Sequence, residues 1–253
     1  QGVEQNSEEA AKLYRLAAAQ GDAYAQYNLG TMYFYGRGVE QNDIEAAKLY
    51  RLAAEQGDAP AQCNLGVMYR EGRGVEQDFE EAVKLDRLAS AQGDAQAQFN
   101  LGFMYEQGQG IEQNDIEAAK LYRLAAAQGD AYAQCNLGFM YREGRGVEQN
   151  SEEAAKLYRL AADQGNAHAQ CNLGTMYDGG QGVEQSDIEA VKLYRLAAAQ
   201  GNAEAQFNLG FMYREGRGVE QNDIEAAKLY RLAAEQGDAY AQYNLGTMYF
   251  YGR

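Results

Sequence analysis

His168 is the only histidine among 253 residues, so the chain cannot build a multi-histidine metal site or repeat a His-based catalytic pair. The three cysteines, Cys63, Cys135 and Cys171, fall on one position of a recurring segment, where other copies carry Tyr27, Phe99, Phe207 or Tyr243. Carboxylates are plentiful, but they recur with the same segment. Charges that return in every copy describe architecture rather than one reacting centre. The G-x-G sequences follow helical patterns and no strand precedes them, so they do not read as phosphate-binding loops. No catalytic residue, cofactor or metal site is expected. The remaining chemistry is recognition, by aromatic area and paired charges.

Those groups lie at the variable positions of a segment whose other positions hardly change. One variable site reads Tyr24, Pro60, Gln96, Tyr132, His168, Glu204 and Tyr240. Three residues on come Tyr27, Cys63, Phe99, Cys135, Cys171, Phe207 and Tyr243; four further lie Thr31, Val67, Phe103, Phe139, Thr175, Phe211 and Thr247. The last site holds Phe34, Arg70, Glu106, Arg142, Asp178, Arg214 and Phe250, each followed by another variable residue such as Tyr35, Glu71 or Tyr251. Steps of three and four place these residues on one helix face. Arg70–Glu71, Arg142–Glu143 and Arg214–Glu215 recur in alternate copies. By contrast, Ala25, Gln26, Asn28, Leu29, Gly30, Met32 and Tyr33 have identical counterparts throughout and read as the frame. The variable stripe is the candidate peptide- or protein-binding surface, against neutral variation on a half-buried face. A second candidate is the ladder Asn28, Asn64, Asn100, Asn136, Asn172, Asn208 and Asn244. Its amides could hold a bound backbone, although hydrogen bonds to a loop or neighbouring helix are the simpler use.

The elements that carry these positions follow from the period. Val3, Val39, Val75, Ile111, Val147, Val183 and Val219 occupy one site, 36 residues apart, which marks a solenoid. Each copy holds two helical patterns. In EAAKLYRLAAEQ (45–56), Ala46, Leu49, Tyr50 and Ala53 share a broad apolar face, with Lys48, Arg51 and Glu55 polar. Asn42 and Glu45 form the Asn version of a capping box, and Gly57 suits a left-handed C-terminal position. Asp58 caps the second helix, where Pro60 is tolerated in the first turn and Gly72 and Gly74 end it. Gly66, inside that helix, costs on the order of 1 kcal/mol relative to Ala. Its recurrence predicts close backbone approach beside Ala46, Ala53 and Ala61. One helix pair cannot bury both apolar faces, so neighbouring pairs must stack.

The run A-x-A-Q-x-N-L-G-x-M-Y-x-x-G-x-G-V, followed by E-A-x-K-L-Y-R-L-A-A-x-Q-G, resembles the Sel1-like repeat family of tetratricopeptide-like proteins. The likeness covers essentially the whole chain. It implies an all-α fold: an α/α solenoid of antiparallel pairs wound into a right-handed superhelix of about 14 helices. By family convention the Asn-Leu-Gly helix comes first in each unit. Residues 1–253 then read as a single array, with half unit 1–21, six full units within 22–237 and half unit 238–253. On that count the array opens and closes mid-unit, as an excerpt or a consensus-like design would. The resemblance also implies that Asn-Leu-Gly helices line a concave surface and that the protein is an interaction scaffold. The rival reading is a structural array without a ligand in this fragment, and uncapped ends raise end-to-end self-association as a further reading.

The net charge of −15 argues against nucleic acid and anionic membranes as partners. No apolar run reaches membrane-spanning length, so no membrane insertion is expected. Bacterial cytoplasm, periplasm and secretion all stay open. Equivalent cysteines in stacked repeats would stand roughly 8–10 Å apart, too far for a disulfide. Lys12, Arg15 and their equivalents, beside Glu9, read as a solvated, salt-bridged outer face. The loop residues Arg37, Arg73, Arg145, Arg217 and Arg253 need no special role. Asp86 stands where other copies have Tyr50 or Tyr122; an acid in the core is costly unless paired, so it marks a gap, bend or pocket.

Overall fold

The computed structural model describes residues 5–252. Among them the regular structure is helical throughout: α1 Ser7–Ala19, α2 Ala23–Tyr35, α3 Asp43–Glu55, α4 Ala59–Glu71, α5 Phe79–Ala91, α6 Ala95–Gln107, α7 Asp115–Ala127, α8 Ala131–Glu143, α9 Ser151–Asp163, α10 Ala167–Gly179, α11 Asp187–Ala199, α12 Ala203–Glu215, α13 Asp223–Glu235 and α14 Ala239–Tyr251. They group into two compact units, α1–α7 up to Gln128 and α8–α14 from Gly129. Within each unit consecutive helices pack together, as an α/α solenoid requires. An Asn-Leu-Gly helix packs more extensively on the Lys-Leu-Tyr helix after it than on the one before.

Helix ends follow the expected chemistry, with one correction. Asn42 accepts the Glu45 N–H at 3.0 Å and Asp58 accepts the Ala61 N–H at 2.8 Å, each satisfying an otherwise orphan donor. The return limb of the capping box is not made. The Asn42 N–H donates instead to the Tyr33 carbonyl at 2.9 Å, while Glu45 pairs with Lys48 at 3.2 Å. The cap residue therefore ties its helix to the preceding one. At the other end of α3, Gly57 takes φ +90°, and the Gly57 and Asp58 amides donate to the carbonyls of Ala54 and Ala53. That is a Schellman closure, for which the left-handed glycine is needed.

The core of each copy is a buried tyrosine set among alanines, leucine and methionine. Around Tyr50 these are Ala46, Ala53, Ala61, Leu65 and Met68, all buried. The interior glycine faces this ring. A Cβ on Gly30 would stand 3.0 Å from two ring carbons of Tyr50, and one on Gly138 would meet Tyr158 in the same way. The close approach is thus chiefly of glycine to a neighbouring aromatic ring, rather than of backbone to backbone. Burial pushes the Tyr50 hydroxyl up to about 12, despite its hydrogen bond to Thr31.

Two polar series bind successive helices. Gln26, buried, donates to the Ala18 carbonyl at 3.3 Å and accepts from Gln56 Nε2 at 2.7 Å. Gln92 and Gln62 repeat the second bond at 2.9 Å, as do Gln164 and Gln134 at 2.8 Å. Six outer-face arginines, Arg15, Arg51, Arg87, Arg159, Arg195 and Arg231, bond a tyrosine hydroxyl rather than the expected glutamate. Arg51 donates to the Tyr69 hydroxyl at 2.8 Å and Arg195 to Tyr213 at 2.9 Å, while the lysines of that face pair with glutamates, as in Lys12–Glu9 at 3.0 Å. Nor is that face uniformly polar, since Leu52, Leu88 and Ile44 are about half exposed there. The loop arginines do carry a role. Arg73 holds Asp43 through two nitrogens at 2.8 and 3.2 Å, and Arg217 bridges Asp187 and Asp178. Arg253 lies outside the described residues.

Candidate functional site

The variable stripe lies on α2, α4, α6, α8, α10, α12 and α14, and its sites differ sharply in exposure. The first site is exposed in every copy: Tyr24 is 74% accessible, Tyr132 64% and Tyr240 74%, with His168 exposed beside them. The second site is drawn inward. Tyr27, Phe99 and Phe207 are half-buried, and each ring lies 5.7–5.8 Å from the core tyrosine of the next helix, Tyr50, Tyr122 or Tyr230. Here Cys63, Cys135 and Cys171 are buried and form no disulfide, and burial pushes the Cys135 thiol up to about 11. Only Tyr243, on α14, is open at this site, at 73%. These residues serve packing as well as any ligand.

The third and fourth sites join the aromatic and charged groups. Phe103, Phe139 and Phe211 are half-buried. The Arg142 guanidinium lies 5.3 Å from the Phe139 ring centre, and Arg214 lies 5.2 Å from that of Phe211, both cation–π distances. Phe34 is half-buried under Arg73 at 4.0 Å and meets the exposed Tyr35 edge-on. Glu106 accepts the Tyr122 hydroxyl at 2.7 Å. Arg142 Nε also pairs with Glu143, and Arg214 Nε with Glu215, both at 2.8 Å. Glu71 is exposed and Arg70 half-buried. Two of the three recurring Arg-Glu dipeptides, Arg142–Glu143 and Arg214–Glu215, are therefore short local pairs whose arginines also reach the next copy.

The asparagine ladder meets them there. Arg142 Nη1 donates to Asn172 Oδ1 at 2.9 Å, and Arg214 makes the same bond to Asn244. Asn28 and Asn244 donate to the carbonyl four residues back, Tyr24 or Tyr240, at 2.8 Å. Asn64, Asn136 and Asn208 are half-buried. Asn100 is buried, donating to Cys63 Sγ at 3.6 Å and accepting from Gln96 at 3.1 Å. A cavity of about 300 Å³ opens on this network, lined by Arg214, Glu215, Asn244, Thr247, Met248 and Tyr251. The arginine–asparagine bonds were not legible from the sequence, because their partners stand 30 residues apart.

Asp86 occupies the core tyrosine site of α5 and is fully buried. Neither carboxylate oxygen has a hydrogen-bond partner. Burial raises its titration to about 8, against the lowering effect of Arg70 and Asn100 nearby. Among the described residues no helix is long and apolar enough to cross a membrane, and no group of three His, Cys, Asp or Glu could hold a metal ion.

Identical helix pairs, stacked through tyrosine–glycine contacts and glutamine bonds, define a tandem-repeat protein of the α/α solenoid class. The chain belongs to the Sel1 repeat family. The model of that repeat matches residues 1–22, 23–58, 59–94, 95–130, 131–166, 167–202, 203–238 and 239–253. The structure is similar to that of a protective antigen of uropathogenic Escherichia coli with an SLR fold, at 38% identity and TM-score 0.86, over 97% of this chain and 52% of that one. The chain thus spans about half the length of that relative. It is also similar to a Sel1 repeat protein from Oxalobacter formigenes, at 32% identity and TM-score 0.78, over 90% of this chain and 97% of that one. A Sel1 repeat protein from Klebsiella pneumoniae, at 21% identity and TM-score 0.52 over 80% of this chain and 98% of that one, shares the fold. No curated protein matches the sequence. Sel1 repeat proteins are in general non-catalytic protein-interaction scaffolds.

Proposed function

We propose that this chain is an adaptor that binds an extended peptide or protein segment along the variable stripe of its Asn-Leu-Gly helices. The carrying observation is that residue variation and exposure coincide at Tyr24, Tyr132 and Tyr240, beside an invariant, buried frame. The exposed rings offer apolar area at low entropic cost, while Arg142, Arg214 and Glu106 of the same stripe offer charge. Screening against a library of extended peptides tests this, with a variant changing Tyr24, Tyr132 and Tyr240 to Ser as control. These rings are exposed, so the variant keeps its helical circular dichroism. A specific hit that the variant loses supports the adaptor. Equal binding by both proteins, or none by either, leaves the structural-array reading in its place.

A further inference from the structure

In three other copies the core tyrosine hydroxyl bonds a residue of the variable stripe. The Tyr50 hydroxyl donates to Thr31 at 3.1 Å, Tyr122 to Glu106 at 2.7 Å and Tyr194 to Thr175 at 3.3 Å. The Tyr50 ring lies close to the interior Gly30 and is tilted at 39° to the Tyr27 ring, 5.8 Å away. Around Asp86 on α5 the equivalent positions are Gly66 and Cys63, with Val67 and Arg70 at the stripe end. The Asp86 side chain is shorter than the tyrosine it replaces. A Cβ on Gly66 would meet Asp86 Oδ1 at 3.1 Å, where the other copies place ring carbons. The carboxylate ends short of the hydroxyl position, fully buried, with both oxygens unpartnered.

The stripe end of this slot also differs. Arg142 and Arg214 are held down by a glutamate and by the asparagine of the next copy. Asn100, the corresponding partner for Arg70, is turned inward to Cys63 and Gln96. Among the described residues the Arg70 guanidinium has no hydrogen bond or ion pair, and it and Asn100 both lower the titration of Asp86.

We infer that the Asp86 slot is a binding site for a planar cation, the guanidinium of an arginine side chain on a bound peptide. A flat, delocalised cation matches a space shaped for a ring. Its paired N–H donors also match two unpartnered carboxylate oxygens, which a compact ammonium cannot do. Entry is from the stripe, past Arg70 and Val67. The assignment rests on the stripe being a peptide-binding surface, and it names the residue which the third copy selects.

The test uses the full chain and the probe acetyl-Gly-Arg-Gly-amide at low salt and pH 8.5, with lysine and citrulline versions as controls. Binding is followed by the backbone amide shifts of Gly66 and Asp86. Wild type should show saturable shifts with the arginine probe, weaker ones with lysine and none with citrulline. Asp86→Tyr, which restores the residue of the other copies, and Asp86→Asn should both lose them. No saturable shift in wild type, or an undiminished one in Asp86→Tyr, overturns the assignment. The Tyr24, Tyr132, Tyr240→Ser variant should keep tripeptide binding, because the short probe reads only the slot. Failure of longer peptides to bind would then count against the stripe, and failure of the tripeptide against the slot.

Discussion

Gln56 donates its side-chain amide to Gln26 Oε1 at 2.7 Å, across 30 residues, while Gln26 donates to the Ala18 carbonyl. One buried side chain thus joins three consecutive helices and satisfies a carbonyl at the end of α1. Because each copy repeats the bond, the register of stacking is set by side-chain amides as well as by apolar packing.

Breaking this ladder inside the chain should cost stability. Gln62→Leu removes one partner each from the Ala54 carbonyl, which keeps the Gly57 N–H, and from the Gln92 amide, which keeps the Leu88 carbonyl at 3.4 Å. The expected loss is about 0.5–1.5 kcal/mol for each bond lost, read as a lowered urea midpoint with helical content retained below it. An unchanged midpoint would show that these amides are equally well served by water.

The interior glycines give a paired test. Gly138→Ala places a methyl 3.0 Å from the Tyr158 ring in a packed core, and should cost roughly 1–3 kcal/mol. Gly246→Ala meets nothing within 4 Å and should gain up to about 1 kcal/mol from helix propensity. Thermal melts of the two variants should move in opposite directions.

Asp86 should make stability depend on pH with an unusual sign. Its carboxyl titrates near 3.8 when unfolded and near 8 in the fold, raised by burial, with Asp94 adding and Arg70 and Asn100 opposing. The native state holds the extra proton between these values. The contribution is therefore whole below the unfolded value and declines as pH rises toward 8, by on the order of 1 kcal/mol per pH unit. The stability gap between Asp86→Tyr and wild type should widen from pH 5 to 8 and then level off, which denaturant titrations at several pH values will read.

The Arg73–Asp43 clamp is partly exposed, at about a third for each side chain. A double-mutant cycle with Arg73→Met and Asp43→Asn should give a coupling of no more than about 1 kcal/mol, shrinking as salt is raised. Coupling insensitive to salt would mean that the pair acts through loop packing instead.

The period, the helices, their caps and the stacked architecture were legible in the sequence, because those signals are local or repeat in phase. Asn42 caps α3, and Gly57 closes it, through neighbours a few residues away. Asp86 also stood out, because six sister copies show what belongs at its site. What tertiary structure decided were the partners of long side chains. Arg51 reaches Tyr69 rather than a glutamate, Arg73 reaches Asp43, and Arg142 reaches Asn172, over 18 to 30 residues. The stripe shows the same division. Helical spacing put Tyr24, Tyr27 and Phe34 on one face, but only packing against Tyr50 turned Tyr27 inward and left Tyr24 in solvent. A helical period reports which residues share a face; how deep each one lies depends on the neighbouring helix, whose contribution enters only when the copies stack.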